Sequence, residues 1–291
     1  MVGSNPIPRV LLGFIFVFHK WALRFKNGSE YSNVSLREVF EVKERKVAIV
    51  TGSTNGGAGR SIALALAREG FNIVINNRKD EKAASEVANS VQKYGVEARI
   101  IHADITNPQQ VEALIKETVD YFGHIDVFVI NPGGEWKPCD LAETDIEFVR
   151  ETLDAETISV FICCKYVLPV MRKQGSGRII LTSMENTDLP IVHSWAPYDY
   201  ILGKSTRTYL ARVIGEREKE HGITVNAVCP TAFPHITKKE AIAMNENHKE
   251  WINRKKAMPQ DIAEAVVYLT SEAGRFVTCS ILQIREVKQA H

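Results

Sequence analysis

Tyr200 and Lys204 lie four residues apart in the run Tyr-Ile-Leu-Gly-Lys, a spacing that puts both side chains on one face of a helix. A phenol beside an ammonium is a proton-transfer pair. A free tyrosine titrates near pH ~10, and a neighbouring positive charge stabilises its phenolate. A tyrosine tuned in this way can exchange a proton with a carbonyl or alcohol oxygen. A chain with eight tyrosines and many lysines produces such a spacing by chance, so the pair gains its meaning from what precedes it.

Upstream, the apolar run Val47 to Val50 leads into Thr51-Gly52-Ser53-Thr54-Asn55-Gly56-Gly57-Ala58-Gly59, and the helical pattern Ile62, Ala63, Leu66, Ala67 follows. A strand, a glycine-rich turn and a helix in that order suit a pyrophosphate. Glycines let backbone approach the phosphates, while free N–H groups and the positive end of the helix dipole meet the negative charge. Gly52, Ser53, Asn55, Gly57 and Gly59 are the candidate contacts; a flexible surface loop is the plain alternative.

Further segments follow in a fixed order, and together they resemble the short-chain dehydrogenase/reductase family, in particular its 3-oxoacyl-acyl-carrier-protein reductase-like members. The resemblance runs from about Lys46 to about Ile284. Thr51-Gly52 with Gly57-Ala58-Gly59 is similar to the family's Thr-Gly-x-x-x-Gly-x-Gly turn, with one residue more. Asp104, followed by Ile105, resembles the aspartate that contacts the adenine. Ile130-Asn131-Pro132-Gly133 stands where Asn-Asn-Ala-Gly is usual, and Thr224 to Pro230-Thr231 is similar to the strand that ends in Pro-Gly. The resemblance implies a Rossmann-type doubly wound parallel α/β sheet of seven strands with helices on both faces. It also implies hydride transfer between a nicotinamide and a small carbonyl or alcohol substrate. Tyr200 would act as the acid, with Lys204 lowering its pKa and holding the nicotinamide ribose. Asn131 and Gly133 would line the cofactor channel, with Pro230 and Thr231 near the carboxamide. The segment from Ala232 to Met258, with Phe233, His235, Met244 and Trp251, would close over the substrate. Association as a homodimer or homotetramer through the helix of Tyr200 and Lys204 is implied by the same analogy.

Cofactor choice is read at the end of the second strand, where a carboxylate would hold the ribose hydroxyls of NAD and repel a 2′-phosphate. This chain has Asn77-Arg78-Lys79 there, and a guanidinium meets a phosphate through charge-assisted hydrogen bonds. NADP(H) is therefore the expected cofactor. NAD(H) remains open if Asn77 bonds the ribose and Arg78 is a solvated turn residue.

Two positions depart from the family. Counting from Gly177-Arg178 puts Met184 where the catalytic serine belongs, with Ser183 one residue early. A thioether cannot donate a hydrogen bond, and alternation along a strand turns Ser183 the other way unless a bulge shifts the path. Ser183 is nonetheless the candidate hydroxyl, with Thr187, His193 and Ser194 in the following segment. Glu156 occupies the position of the family's asparagine. It could accept from a water leading to the lysine, pair with Lys204 and cancel part of the field on Tyr200, or be a partly exposed helix carboxylate. The alternative to an active oxidoreductase is therefore a catalytically impaired nucleotide-binding or regulatory protein on this fold, with non-redox chemistry such as dehalogenation a third reading.

The 291 residues, 45% hydrophobic, suffice for one α/β domain of roughly 250 residues plus an appendage, read as residues 45–291 and an extension over residues 1–44. A net charge of +1 and the absence of a basic helix in the main body argue against nucleic acid. The five cysteines show neither framework nor zinc spacing, which reads as reduced thiols of a cytoplasmic protein without a metal site. Strands are expected near residues 47–51, 71–76, 98–102, 126–130, 178–183, 224–229 and 280–284. Asn107, Pro108 and the stripe Val111, Leu114, Ile115, Val119, Phe122 mark a helix packed on the core. In the extension, the apolar run at residues 10–18 is too short for a span of about 20 residues. The amphipathic, basic segment at residues 9–26 suits peripheral contact with an anionic membrane, a helix packed on a neighbouring subunit, or an extension translated from a start assigned too far upstream.

Overall fold

Strands buried on both faces read as unbroken apolar runs rather than as alternating ones, and Val47–Thr51 and Val127–Ile130 are buried at every position. The structure is a computed structural model and describes residues 45–54, 56–189, 196–247 and 256–286. The unit that begins at Arg45 contains strands β1 (Val47–Thr51), β2 (Asn72–Asn77), β3 (Ala98–His102), β4 (Val127–Ile130), β5 (Gly177–Thr182), β6 (Ile223–Pro230) and β7 (Ile281–Ile284). They form one sheet in the order β3-β2-β1-β4-β5-β6-β7, with every pairing parallel. The order reverses between β1 and β4, and ligands of such sheets lie in the crevice outside the strand ends at that switch point.

The α-helices among the described residues are α1 (Ala58–Arg68), α2 (Glu81–Gln92), α3 (Pro108–Phe122), α4 (Ile146–Leu153), α5 (Ser159–Gln174), α6 (Tyr198–Glu218), α7 (Lys238–Glu246) and α8 (Pro259–Thr270). Alternating strand residues feed two cores. Val50, Ile73 and Ile75 pack with Ile62 and Leu66 of α1 and Ile262 and Val266 of α8. On the opposite face, Ile49, Phe128 and Ile179 pack with Leu114 of α3, Val167 of α5 and Leu210 of α6.

Local signals explain the boundaries. Asn107 caps α3 by accepting from Gln110 N at 3.1 Å, and the helix stops at Gly123, which takes the left-handed conformation at φ 83°. Its expected stripe is buried at Val111, Leu114 and Ile115, with Val119 and Phe122 half-buried against the same core. The N-cap of α1, Gly57, has no side chain to satisfy the first N–H groups, whereas Asp80 caps α2 with its carboxylate. Cys163, Cys164 and Cys229 are buried. The amphipathic segment at residues 9–26 lies outside the described residues. No helix among the described residues is long and apolar enough to cross a membrane.

Candidate active site

The turn after β1 is shaped by two glycines. Gly52 sits at φ +60° with its α-carbon against Pro132, where a Cβ would come 3.1 Å from the Pro132 ring. A Cβ on Gly59 would run into the Gly52 carbonyl and lie 2.8 Å from Asn131 Nδ2, so only glycine lets α1 start this close to β1 and β4. Ser53 N donates to Asn76 O at 3.1 Å and fixes the turn to β2. Asn55 lies outside the described residues. The segment after β6 folds back here, with Ile236 N donating to Gly56 O at 2.9 Å. Phe233 and Met244 pack half-buried on the core, while Trp251 lies outside the described residues.

Beside the turn lies a cavity of about 740 Å³ lined by Gly52, Thr54, Arg78, Asp104, Ile105 and Gly133, among others. Asp104 Oδ1 accepts from Thr106 N at 2.9 Å and Thr106 Oγ1 at 2.7 Å, which fixes the loop. Asn77 is fully engaged: Nδ2 donates to Asp80 O at 2.7 Å, and Oδ1 lies 2.5 Å from His102 Nδ1. Arg78 is exposed at the rim and has no ion-pair partner among the described residues.

Asn131 is held at the end of β4 by two threonines. Its N–H donates to Thr51 Oγ1 at 3.0 Å and its carbonyl accepts from Thr182 Oγ1 at 2.7 Å. Pro230 O accepts from Glu185 N at 3.0 Å, and Thr231 Oγ1 donates to Glu185 Oε1 at 2.8 Å. The ends of β5 and β6 are thereby joined.

Tyr200 and Lys204 occupy adjacent turns of α6, with Lys204 Nζ 5.2 Å from the Tyr200 ring centroid. Tyr200 is half-buried, and no described residue hydrogen-bonds its hydroxyl. Trp136 meets its ring edge-on, with centroids 5.1 Å apart and the planes at 73°; that contact was not legible in the sequence.

Glu156 is fully buried, not a partly exposed carboxylate. It lies in a π-helical turn, Asp154–Ile158, between α4 and α5. Its Oε1 accepts from Gly134 N at 2.9 Å, and its Oε2 lies 3.0 Å from Lys204 Nζ and 2.9 Å from Arg207 Nε. Neither cation is aligned for a hydrogen bond to Oε2, so charge holds that oxygen. Gly133 and Gly203 make room for this side chain, because a Cβ on either would collide with it. Arg207, also fully buried, donates to the carbonyls of Glu156 at 2.8 Å, Thr182 at 2.9 Å, Pro132 at 2.6 Å and Ala155 at 3.1 Å. One guanidinium thus ties together the ends of β4 and β5 and the π turn. Sequence reasoning missed Arg207, although Tyr200, Lys204 and Arg207 follow the i, i+4, i+7 rhythm of a single helix face.

This arrangement reverses the expected effect of Lys204 on Tyr200. Burial pushes the phenol up to about 12, and the Glu156 carboxylate adds to the rise while Arg207 opposes it. Burial also pulls the Lys204 ammonium down to about 8, against the upward pull of Glu156. Glu156 takes up the positive charge that would have favoured the phenolate.

The expectation of a catalytic hydroxyl at Ser183 is not met by this geometry. β5 keeps an unbroken parallel register with β6 through Thr182 and Val228, and Ser183 N continues it by donating to Val228 O at 2.9 Å. No bulge turns the side chain. Ser183 Oγ donates to Lys204 O at 2.6 Å and lies 3.1 Å from Thr187 Oγ1, so it joins β5 to α6. Met184, at the family's serine position, is buried. His193 and Ser194 lie outside the described residues.

Comparisons with known proteins agree with this framework. Residues 52–285 match the family model described as enoyl-(acyl carrier protein) reductase. The chain is 32% identical over 256 residues to a sorbose reductase of Candida albicans, covering 85% of this chain and 88% of that protein. It is 30% identical over 248 residues to a 3-oxoacyl-acyl-carrier-protein reductase of Staphylococcus aureus, covering 84% and 98% respectively. Among solved structures, an acetoin dehydrogenase from Salmonella typhimurium superposes with a TM-score of 0.71 at 28% identity, over 82% of this chain and 94% of that one. The glycine turn at the switch point, the Tyr200–Lys204 pair and these likenesses over most of the chain have one reading: the protein belongs to the short-chain dehydrogenase/reductase oxidoreductases and resembles the 3-oxoacyl-acyl-carrier-protein reductases.

Proposed function

We propose that the protein is an NADP(H)-dependent oxidoreductase acting on a small carbonyl or alcohol. The observation that carries this reading is the placement of Lys204, with Tyr200 on the same face of α6, against Gly133, which lines a cavity of about 740 Å³ beside the glycine turn. Gly133 links the two, since it lines the cavity and a Cβ there would lie 2.8 Å from Lys204 Nζ. The residues fit a dinucleotide: Gly52 and Gly59 form a cradle that side chains would fill, and the first turn of α1 has no side-chain cap. Such a helix start favours phosphate. Arg78, without an acidic partner among the described residues, would hold a 2′-phosphate. The cofactor, when bound, supplies or accepts the hydride. Tyr200 would exchange the proton with the substrate oxygen, Lys204 would bind the ribose beside it, and Trp136, edge-on to the Tyr200 ring, would give the substrate an apolar wall. Exposed Ile158 at the end of the π turn, Phe161 at the start of α5 and Leu202 and Tyr209 on α6 suit association as a homodimer or homotetramer.

A second reading draws on Met184, the hydroxyl of Ser183 bonded to Lys204 O, and the Lys204–Glu156 ion pair: a nucleotide-binding protein with little turnover. Fluorescence titration with NADPH and NADH tests the cofactor half. Arg78→Ala is expected to weaken NADPH by roughly 10- to 100-fold, the range for a charge-assisted hydrogen bond, and to leave NADH unchanged. A carbonyl screen, begun with ketoses and 3-oxoacyl thioesters because two relatives carry those substrates in their names, tests the catalytic half. Tyr200→Phe should abolish turnover there and keep NADPH binding; a protein that binds NADPH but reduces nothing supports the second reading.

A further inference from the structure

We infer that Glu156 is a positioning residue that fixes the resting protonation of Tyr200 near neutral pH, and with it the pH dependence of each direction of turnover. Paired with Lys204, it keeps Tyr200 a protonated phenol, ready to donate to a carbonyl oxygen, and withholds the phenolate that alcohol oxidation requires. The inference rests on the oxidoreductase reading above. Its basis is geometric: a fully buried carboxylate lies 3.0 Å from Lys204 Nζ, and that same ammonium lies 5.2 Å from the Tyr200 ring. In a poorly solvated site an anion so close to the lysine cancels most of the field that an isolated lysine would exert on the phenol.

Of the remaining charged and titratable groups around the pair, Arg207 opposes the carboxylate in part and the others add no positive charge. Arg207 on α6 lies 2.9 Å from the same carboxylate oxygen and is engaged by backbone carbonyls. Cys229 on β6 and Cys163 on α5 are buried thiols pushed up by desolvation, hence neutral. Asp199, the neighbour of Tyr200 on α6, is a buried acid and adds no positive charge. The fold also commits space to the arrangement, since Gly133 and Gly203 are the positions at which any Cβ would strike Glu156. The carboxylate is therefore a built part of the site. The shift of Tyr200 to about 12, with Glu156 among its causes, agrees with this.

The sign follows directly. Reduction uses the neutral phenol: the carbonyl carbon gains the hydride, its oxygen takes the Tyr200 proton, and the resulting phenolate is reprotonated from solvent. This form persists below the raised pKa. Oxidation uses the phenolate to take the alcohol proton, so its rate should climb about tenfold per pH unit through the neutral range.

The test needs no substrate. An ultraviolet pH titration of tyrosinate, taken as wild type minus Tyr200→Phe, isolates Tyr200, and the same difference is taken in the Glu156→Gln background. Ionisation of Tyr200 only above about pH 11 in wild type, with a fall of roughly one unit or more in Glu156→Gln, is the expected result. Ionisation of wild-type Tyr200 at or below the ordinary value near pH ~10 would overturn the inference, and so would a midpoint that stays or rises in Glu156→Gln. Should Glu156→Gln fail to fold, Glu156→Met, which also removes the charge, is read in its place with the same two outcomes. A screen without turnover would remove the oxidoreductase reading and leave the titration result standing, so the two failures are distinguishable.

Discussion

Replacing Arg207 by methionine removes the largest fully buried side chain while keeping most of its length. Two losses follow. Glu156 keeps Lys204 at 3.0 Å but loses the second cation at 2.9 Å, and breaking one side of a buried ion pair costs about 3–5 kcal/mol. The carbonyls of Thr182, Pro132 and Ala155 lose a donor at 2.6–3.1 Å, and a buried acceptor without a partner costs about 1–3 kcal/mol. These losses overlap, since one shift of α6 can relieve several of them, so a net destabilisation of about 3–5 kcal/mol is the reasoned figure. Against a typical total of about 5–15 kcal/mol, that is about a fifth or more of the stability. It corresponds to a fall in Tm of about 6–20 °C for a domain of this size. Urea denaturation followed by circular dichroism would read it as a lower midpoint at unchanged slope. Glu156→Gln in combination should recover part of the loss, because the uncompensated charge is then gone. A single Arg207→Met variant within about 1 kcal/mol of wild type would refute the role given to this guanidinium, since an ordinary surface substitution changes stability by about half that.

Two further outcomes follow from the local geometry. Gly59→Ala should lower NADPH affinity at least about tenfold and stability by about 1–3 kcal/mol, because its methyl meets the Gly52 carbonyl and Asn131; cofactor titration and thermal melting check both. Asn107→Ala removes the cap whose side chain accepts from Gln110 N at 3.1 Å, and should cost about 1 kcal/mol in a denaturant melt with cofactor binding unchanged.

The strand positions, the cap and apolar stripe of α3 and the phosphate-type turn were legible because each is written in short-range terms. Apolar runs, an Asn-Pro helix start and a cluster of glycines act over a few residues and keep their meaning in any fold that uses them. The strands fall within a residue or so of expectation, as with Asn72–Asn77 against residues 71–76. The site was legible only in part. Tyr200 and Lys204 declared themselves by helical spacing, whereas the alternatives for Glu156, water acceptor, lysine partner or exposed carboxylate, differ only in what surrounds it. Ser183 was a fair candidate until the unbroken β5–β6 register turned its hydroxyl to Lys204 O. Trp136 could not be placed at all, because the loop that brings it edge-on to Tyr200 has no periodicity to read.

By itself the sequence determined the doubly wound class, the order of the segments and the phenol–ammonium pair, since hydrophobic period and turn chemistry specify local backbone, and local backbone specifies the elements. The electrostatic state of the site was decided by tertiary structure alone. Glu156 and Arg207 are 51 positions apart in the chain, and nothing local says that a π turn and the third turn of α6 will meet at the ends of β4 and β5. Only that meeting excludes water from the carboxylate, and exclusion of water is what makes a charge pair strong enough to set the protonation of a neighbouring tyrosine.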